Sequence, residues 1–258
     1  MPLDSDAVAE IARQLARAGS ALFITGAGIS ADSGLPTYRG IGGLYNDGGT
    51  DEGIPIEVAL SGEMLSHRPD VAWKYMAQIE EACRGARPNR GHEILALLEK
   101  RVPRVWVLTQ NVDNFHAEAG STNLIEMHGN LHRLVCTGCA RRQTVEDYAG
   151  LDIPPWCRAC GRLVRPDVVL FGEMLPKRAL DALFRELATG FDVVFTIGTT
   201  SVFPYIAQPV HMARAQGKIT VEINPGESEV SDVVDYRLRA GARDALEAIF
   251  QAMPTEAV

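Results

Sequence analysis

The stretch SALFITGAGIS, residues 20–30, combines a strand-like run with a glycine-containing turn. Its first part, Ser20–Thr25, is short and mostly apolar, as expected for a parallel strand covered on both faces. Gly26 and Gly28 follow at once and allow a tight turn with close backbone approach to phosphate oxygens. A helix N-terminus behind them would favour negative charge. The stretch predicts a nucleotide site, although a GxG turn alone is also common in ordinary tight turns.

The complete dinucleotide fingerprint GxGxxG is absent from this turn. Position 31 is Ala, and the next glycine is Gly34. The pattern therefore disfavours a hydride-transfer dehydrogenase and leaves other nucleotide chemistry open.

The rest of the chain alternates between strand-like runs rich in Val and Ile and segments with helical spacing. This alternation predicts an α/β fold, a Rossmann-like doubly wound parallel sheet with helices on both faces. The expected strands are 20–25, 105–109, 124–127, 193–197 and 219–223, and the expected helices are 5–18, 69–83, 90–100, 177–188, 204–216 and 242–252.

Four of the five cysteines form two CxxC pairs, Cys136 with Cys139 and Cys157 with Cys160. Each CxxC turn directs two thiolates at one point, and two such turns complete a tetrahedron around zinc. Four thiolates leave no open position, so the spacing predicts one structural Zn²⁺. The fifth, Cys83, is interpreted as a small buried hydrophobic residue.

The chain is interpreted as one catalytic domain over residues 1–258, made of two parts. A large nucleotide-binding part is expected from 1–33, 104–129 and 166–258. A smaller part is expected from two insertions. The first, 34–103, contains a Gly- and Pro-rich lid loop and helices, and the second, 130–165, contains the cysteines.

Composition and charge narrow the function classes. The net charge of −8 argues against binding nucleic acid through its backbone and would tolerate lysine-rich substrates. No apolar stretch approaches the roughly 20 residues of a membrane span, and the start MPLDSDAVAE lacks the regions of a signal peptide. We expect a cytoplasmic protein without nucleic-acid or membrane partners. The oligomeric state is not determined by the sequence, and a monomer is the simpler expectation.

Polar side chains follow three of the expected strands. The carboxyl ends of parallel strands are where open α/β sheets bind ligands, so these side chains are candidates for ligand contacts. Turn and helix-capping roles are the alternative for each of them. They are Gln110, Asn111 and Asp113 after 105–109, Thr199 and Ser201 after 193–197, and Asn224 after 219–223.

His128, in EMHGN at the end of the run 124–127, is a candidate general base. An unperturbed imidazole titrates near neutral pH, which suits that role. His116 is a weaker candidate, because its spacing after Asp113 suits the first turn of a helix.

Taken together, these motifs resemble the sirtuins, the NAD-dependent protein-lysine deacylases, over about residues 18–246. Agreement of all of them in this order is not expected by chance. The matching stretches are GAGISADSGLPTYRG at 26–40, TQNVD at 109–113, HGN at 128–130, the four cysteines, RPDVVLFGE at 165–173, GTTS at 198–201 and IN at 223–224.

The resemblance implies roles for individual residues. His128 would be the general base, with Asn111 beside it orienting the nicotinamide ribose. An extended peptide would be clamped between 169–173 and the loop that begins at Ser201, by strand addition. The implied NAD contacts are Gly26, Ala27, Gly28, Ile29, Ser30, Arg39, Gln110, Asn111, Asp113, Gly198, Thr199, Ser201 and Asn224; the implied substrate contacts are Met76, Ile79, Val169, Phe171, Gly172 and Glu173.

The implied reaction transfers an acyl group from lysine to ADP-ribose and releases nicotinamide, so NAD is a consumed cosubstrate. Two alternatives use the same site: an ADP-ribosyltransferase, and a non-catalytic NAD or ADP-ribose sensor. The presence of His128 with Asn111 and Asp113 argues against a sensor, which needs no base.

Three positions depart from the common sirtuin pattern: Tyr38 before the lid arginine, Leu170 before FGE, and a segment 198–204 that is one residue short. Sirtuins that remove acidic acyl groups carry a Tyr and an Arg, three residues apart, on the helix after the lid. The matching positions here are Met76 and Ile79, which cannot donate a hydrogen bond to a carboxylate. The resemblance therefore implies neutral acyl substrates; the alternative is that both side chains only face the core at helical spacing.

Overall fold

The computed structural model describes residues 3–36 and 50–254. Its strands and helices are numbered here in chain order. The strands are β1 (Ser20–Thr25), β2 (Arg104–Thr109), β3 (Leu124–Glu126), β4 (Gly129–Cys136), β5 (Arg142–Thr144), β6 (Val164–Val168), β7 (Val193–Ile197), β8 (Ile219–Ile223) and β9 (Tyr236–Leu238). The α-helices are α1 (Ser5–Arg17), α2 (Ile56–Ala59), α3 (Gly62–His67), α4 (Pro69–Cys83), α5 (Arg90–Leu98), α6 (Phe115–Glu118), α7 (Lys177–Thr189), α8 (Pro204–Ala215) and α9 (Ala242–Ala252).

Six strands form a parallel sheet in the order β3-β2-β1-β7-β8-β9. The central strand β1 is buried at every residue, which explains its uninterrupted apolar character. The chain builds the sheet outward from β1 on one side and from β7 on the other, so a topological switch lies between these two strands. The predicted doubly wound parallel sheet is confirmed, with β9 added at one edge.

Side chains alternate between the two faces of the sheet. Phe23 of β1 stacks on Phe195 of β7, with ring centroids 4.7 Å apart, in the core that α1, α5 and α9 cover. Leu22 and Ile24 point to the opposite face, into the core formed with α7 and α8. Burial on both faces is what holds the helices against the sheet, at roughly 25 cal/mol per Å² of apolar surface.

A second, antiparallel sheet has the order β5-β4-β6. It shares an apolar core with α3 and α4, in which Trp73 is fully buried and donates its indole N–H to the carbonyl of Val164 at 3.0 Å. Helix α5 lies outside this core: Ile94 and Leu98 pack against the large sheet. The sequence-based boundary placed α5 in the smaller part, so we propose that the smaller part ends before this helix.

The turn after β1 differs from expectation. Two short 3₁₀ turns, Ala27–Ile29 and Ala31–Ser33, follow Gly26, and Gly34 closes the second with a left-handed φ of 85°. The expected helix N-terminus is therefore wrong within residues 26–36: each 3₁₀ turn closes after three residues, and no α-helical ladder forms. An anion bound at this turn would contact the backbone N–H groups of single 3₁₀ turns and not those of an α-helix N-terminus.

The four paired cysteines converge at one end of the small sheet. Their sulfur atoms all lie within 4.8 Å of one another, with Cys136 Sγ 3.4 Å from Cys160 Sγ and Cys139 Sγ 3.7 Å from Cys157 Sγ. Zinc bound to four sulfurs at about 2.3 Å would place them about 3.8 Å apart. The backbone N–H of Gly138 points at Cys136 Sγ at 3.3 Å and would stabilise a thiolate. The cluster fits a structural Zn²⁺.

Two histidines are buried behind the carboxyl ends of β1 and β2. Thr25 donates its hydroxyl proton to Thr109, so His116 Nε2, 2.9 Å from the same hydroxyl, must donate to it. His92 accepts the backbone N–H of Asn89 at Nδ1 and closes the capping box of α5. Both rings serve the packing of helices, so His116 has a structural role here.

In the part of the chain that the structure describes, no helix is both long and apolar enough to cross a membrane.

We predict that Cys136→Ala loses the bound zinc and unfolds at a lower temperature, because three thiolates cannot close the tetrahedron. Elemental analysis should fall from about one zinc per chain, and calorimetry should report the lower melting temperature. Cys83→Ala is the matched control and should keep its zinc. Wild-type zinc content in Cys136→Ala would refute the assignment.

Folding stability should fall as the pH is lowered from about 6.5 to about 4. Burial lowers the pKa of His92 to about 4 and that of His116 well below its usual range. In this pH range the two histidines bind protons in the unfolded chain and stay neutral in the folded chain, so lower pH favours unfolding. The test is urea unfolding of His92→Gln, which keeps a residue able to close the capping box. We expect the free energy of unfolding of this variant to depend less on pH. The exposed His211→Gln should retain the full dependence, and equal slopes in both variants would contradict the prediction.

Candidate active site

The polar residues singled out by the sequence meet at the carboxyl ends of β1, β2, β7 and β8. This edge contains the topological switch between β1 and β7, where open α/β sheets bind ligands. The loops after β1 and β7 touch there: the Gly28 amide donates to the Gly198 carbonyl at 2.9 Å.

Gly26 and Gly28 are required by this contact between loops. A Cβ atom at Gly26 would lie 2.7 Å from the Gly198 carbonyl oxygen, and one at Gly28 would lie 2.5 Å from Gly198 Cα. Gly198 itself has a left-handed φ of 57°. The sequence reasoning explained the glycines by approach to phosphate, whereas the structure shows that the neighbouring loop already occupies one side of them.

Ser30, Asn111 and Asp113 form a buried hydrogen-bonded cluster. Ser30 donates to Asp113 Oδ2 at 2.7 Å and accepts from the Asn111 amide at 3.2 Å. The backbone N–H of Phe115 donates to the other Asp113 oxygen at 3.0 Å. Burial raises the pKa of Asp113, and the hydrogen bonds that Asp113 accepts from Ser30 and from the Phe115 backbone oppose the rise. The cluster fixes the orientation of a carboxylate and an amide together.

This cluster lines a small cavity. Its wall combines the polar side chains of Ser30, Asn111 and Asp113 with apolar side chains. Cys83 is half-buried in the wall, and burial raises the pKa of its thiol to about 12, so it stays protonated. The lining residues are Ala27, Ser30, Leu35, Pro36, Ile79, Ala82, Cys83, Asn111, Val112 and Asp113.

His128 lies between β3 and β4, with a hydrogen-bond partner at each ring nitrogen. Its Nδ1 lies 3.0 Å from the Gln110 carbonyl oxygen, and because a carbonyl only accepts, Nδ1 carries the proton. Burial lowers the pKa of His128, partly offset by that carbonyl. The ring is therefore neutral near pH 7, with the lone pair of a base on Nε2.

Sequence reasoning missed Tyr205, the partner of that lone pair. Its hydroxyl lies 2.7 Å from His128 Nε2, and its ring stacks on Phe203 with centroids 5.5 Å apart. Both rings meet His128 edge-on. In the sequence, FPY at 203–205 shows only two aromatic residues on either side of the first residue of a helix. This pattern does not indicate that Tyr205 contacts His128.

The loop after β7 is held by polar side chains from the loops after β2 and β8. Gln110 donates to the Thr199 hydroxyl at 2.9 Å, and the Asn224 amide donates to the Thr199 carbonyl at 2.9 Å. Ser201 has a left-handed φ of 55°, and its hydroxyl is buried without a protein partner among the described residues. An unpartnered buried hydroxyl fits a ligand that supplies the missing hydrogen bond.

Met76 and Ile79, expected at the acyl group, and Ile29, expected at the nicotinamide carboxamide, do not lie together. Ile79 lines the cavity beside Asp113. Met76 is 1% exposed and packs in the core of the small sheet. Ile29 is fully buried in the large core, and its carbonyl accepts from Asn89. Arg39 and Tyr38 lie outside the described residues.

The residues expected on the peptide side form an exposed edge. Val169 donates its N–H to the His128 carbonyl at 2.9 Å, and the backbone of Phe171 already pairs with residues 60 and 62. Glu173 is bound to Arg165 and to the Leu170 N–H. Gly172, with a left-handed φ of 80°, lies exposed in a turn.

The site fits NAD. The buried Ser201 hydroxyl lacks a partner among the described residues, and the cavity is lined by the Asn111 amide and the Asp113 carboxyl group, which can bond to a ribose hydroxyl or a carboxamide.

Comparison with known proteins is consistent with this geometry. A protein of Pseudomonas aeruginosa named NAD-dependent protein deacylase 2 is 52% identical over 242 residues, which cover 93% of this chain and 94% of that protein. A solved Sir2 homologue in complex with ADP-ribose matches with a TM-score of 0.86 at 34% identity, over 95% of each chain. A solved complex of Sir2 with a p53 peptide and NAD⁺ matches with a TM-score of 0.78 at 28% identity, over 92% of this chain and 95% of the other.

The Sir2 family model matches residues 26–204, which include the glycine turn, His128 and all four zinc-site cysteines. The sequence-based resemblance and the fold agree with that match. The chain belongs to the Sir2 family.

Proposed function

We propose that this chain is an NAD-dependent protein-lysine deacylase, an enzyme that transfers an acyl group from lysine to ADP-ribose and releases nicotinamide. The observation that carries the proposal is the neutral His128, whose basic Nε2 lies at the sheet edge where the glycine loops meet. The P. aeruginosa relative carries the same activity in its name.

NAD would lie across the switch between β1 and β7. Gly26, Ala27, Gly28 and Ser30 would hold the pyrophosphate with Arg39, and Gly198, Thr199, Ser201 and Asn224 the adenosine end. Gln110 and Asn111 would orient the nicotinamide ribose, with Ile29 and Asp113 at the carboxamide. When bound, NAD supplies the ADP-ribosyl group that accepts the acyl oxygen after nicotinamide leaves.

The Ser30–Asn111–Asp113 cluster supports the assignment of the nicotinamide end. Ser30 donates its hydroxyl proton to Asp113, and the carboxylate can still accept a further hydrogen bond from an amide N–H. Asp113 is buried, which keeps competing water away. Removing Ser30 would leave one oxygen of a buried carboxylate short of a hydrogen bond, which typically costs 1–3 kcal/mol.

His128 would act as the general base at Nε2, accepting the proton of a ribose hydroxyl so that the oxygen can attack. The positive charge formed on the ring would be stabilised by the Nδ1–H donated to the Gln110 carbonyl, at 3.0 Å. This bond also fixes the tautomer before substrate arrives, so no proton rearrangement precedes the reaction.

The substrate would be an acyl-lysine segment in extended conformation. Gly172 would offer backbone on one side, and the segment from Ser201 to Phe203 would offer it on the other, so binding by strand addition needs little sequence specificity. Exposed apolar side chains at Phe171 and Met174 border this edge and would contact flanking residues of the peptide.

The acyl group would be neutral. Ile79, like Met76, has an apolar side chain that cannot donate a hydrogen bond to a carboxylate. An acidic acyl tail placed against Ile79 would therefore bury its charge without a partner. Met76, which packs in the core, would influence the cavity through its neighbours on α4.

A protein ADP-ribosyltransferase would use the same NAD site, with a side chain in place of the acyl oxygen. Such an enzyme has no evident need for a base that activates a ribose hydroxyl, so His128 favours the deacylase. The cytoplasm is the compartment that we propose, because four zinc-binding thiolates require reducing conditions. We propose that the chain acts as a monomer.

The proposal predicts that NAD and an acetyl-lysine peptide together yield free lysine peptide, nicotinamide and acetyl-ADP-ribose by mass spectrometry. In His128→Ala this turnover should fall about 10²- to 10⁴-fold, the usual contribution of a general base. NAD binding by calorimetry should persist, and exposed His211→Gln should react normally. A peptide that instead gains the mass of ADP-ribose would identify a transferase, and undiminished turnover in folded His128→Ala would exclude His128 as the base.

For the acyl group, we predict that kcat/KM on one peptide is higher for acetyl-lysine than for succinyl-lysine. One unpaired buried carboxylate costs a few kcal/mol, so the ratio should be at least about tenfold. Ile79→Arg would supply a cation and should narrow the ratio, whereas Ile79→Met should leave it unchanged. Equal rates for both acyl groups in the wild-type enzyme would show that this helix does not line the acyl site.

A further inference from the structure

Tyr205 occupies the lone pair that the proposed base needs. The neutral His128 ring has its proton on Nδ1, bound to the Gln110 carbonyl, so Nε2 has one lone pair and no hydrogen. The Tyr205 hydroxyl, 2.7 Å from Nε2, must therefore be the donor of that bond. One lone pair accepts one strong donor, so a substrate hydroxyl and the Tyr205 hydroxyl exclude each other.

The position of Tyr205 is built into the fold. Pro204 begins α8 and Tyr205 is the second residue of that helix, so its backbone is fixed by regular structure. The ring stacks on Phe203 at an interplanar angle of 11°. Burial raises the pKa of Tyr205 to about 12, so the hydroxyl remains a donor at neutral pH. Among the described residues, this hydroxyl forms its hydrogen bond with His128.

We propose that Tyr205 is a positioning residue that holds the lone pair of His128 in the substrate-free enzyme and yields it to the nicotinamide-ribose hydroxyl of bound NAD. The proposal rests on the function proposed above, which supplies the hydroxyl. The hydrogen bonds at the two ring nitrogens keep the imidazole oriented until substrate arrives. Binding then exchanges one hydroxyl donor for another at Nε2, and no proton passes through Tyr205.

The exchange has a measurable cost. NAD must break the bond between Tyr205 and His128 before its own hydroxyl can take Nε2. A net hydrogen bond contributes about 0.5–1.5 kcal/mol, which corresponds to about two- to tenfold in an equilibrium constant. Removing only the Tyr205 hydroxyl should therefore tighten NAD binding by about that factor, because nothing competes for the lone pair.

The test is Tyr205→Phe, which keeps the ring and its stacking on Phe203. By calorimetry, the Kd for NAD should fall about two- to tenfold. In the His128→Ala background the same substitution should leave the Kd unchanged, because the lone pair is gone. Carbethoxylation of His128 by diethyl pyrocarbonate, followed by peptide mass spectrometry without NAD, should also accelerate about two- to tenfold in Tyr205→Phe. Turnover under saturating substrates should stay near that of the wild-type enzyme.

Tyr236→Phe, which removes a hydroxyl from the edge strand β9, is the control and should change neither the Kd nor the modification rate. An unchanged Kd and modification rate in Tyr205→Phe would overturn the proposal. A fall in saturated turnover of about tenfold or more, of the size that a lost proton-transfer group causes, would also overturn it and identify Tyr205 as a proton carrier. The binding and modification measurements need no deacylation, so they separate failure of this proposal from failure of the proposed function.

Discussion

The candidate site depends on a direct backbone contact between the loops that follow β1 and β7. The strands behind these loops are paired along their length, and the Gly28 amide donates to the Gly198 carbonyl at 2.9 Å. A Cβ atom on either glycine would lie 2.5 Å from the Cα of the other. No flexible side chain separates the two backbones, so neither could move aside alone. The loops can meet only when both positions are glycine.

This contact determines which polar groups face the ligand. Because the loops close the crevice on one side, Ser30 turns toward Asn111 and Asp113, while Gln110 reaches Thr199 on the other. Two protons in this arrangement have assigned acceptors. Ser30 donates to Asp113, and His128 donates from Nδ1 to the Gln110 carbonyl. Directed hydrogen bonds of this kind orient the site before a ligand binds, so little reorganisation remains for the reaction.

Much of the fold could be predicted from sequence because its signals are local. Five of the six large-sheet strands and six α-helices coincide with predicted segments within a few residues, since apolar runs and helical spacing reflect the burial of each element alone. The strand Tyr236–Leu238 has only three residues, of which Leu238 alone is buried, so it carries too little pattern for prediction. The packing of helix α5 against the large sheet could not be predicted, because amphipathic spacing shows that a face is buried without showing against which sheet.

The site was predictable in its residues and less so in its contacts. Motifs placed the polar side chains at strand ends, but the hydrogen bond between Tyr205 and His128 joins residues 77 positions apart, and no spacing rule reaches that far. The sequence also could not show why positions 26 and 28 require glycine. A close approach of backbone to phosphate and a close approach of backbone to backbone demand the same residue, so only the folded structure distinguishes them.

Strand β4 explains how a metal without an open position can matter to a catalytic site. The strand begins at Gly129, directly after His128, and ends at the zinc-site residue Cys136. At about 3.3 Å per residue the two ends lie roughly 20 Å apart, too far for zinc to act on the base electrostatically. Zinc can act on β4 only by holding its pairing with β6, whose register shifts after Asn130. On the side of that shift that lies near the base, the Val169 amide binds the His128 carbonyl, so the strand that zinc holds at one end carries the base at the other.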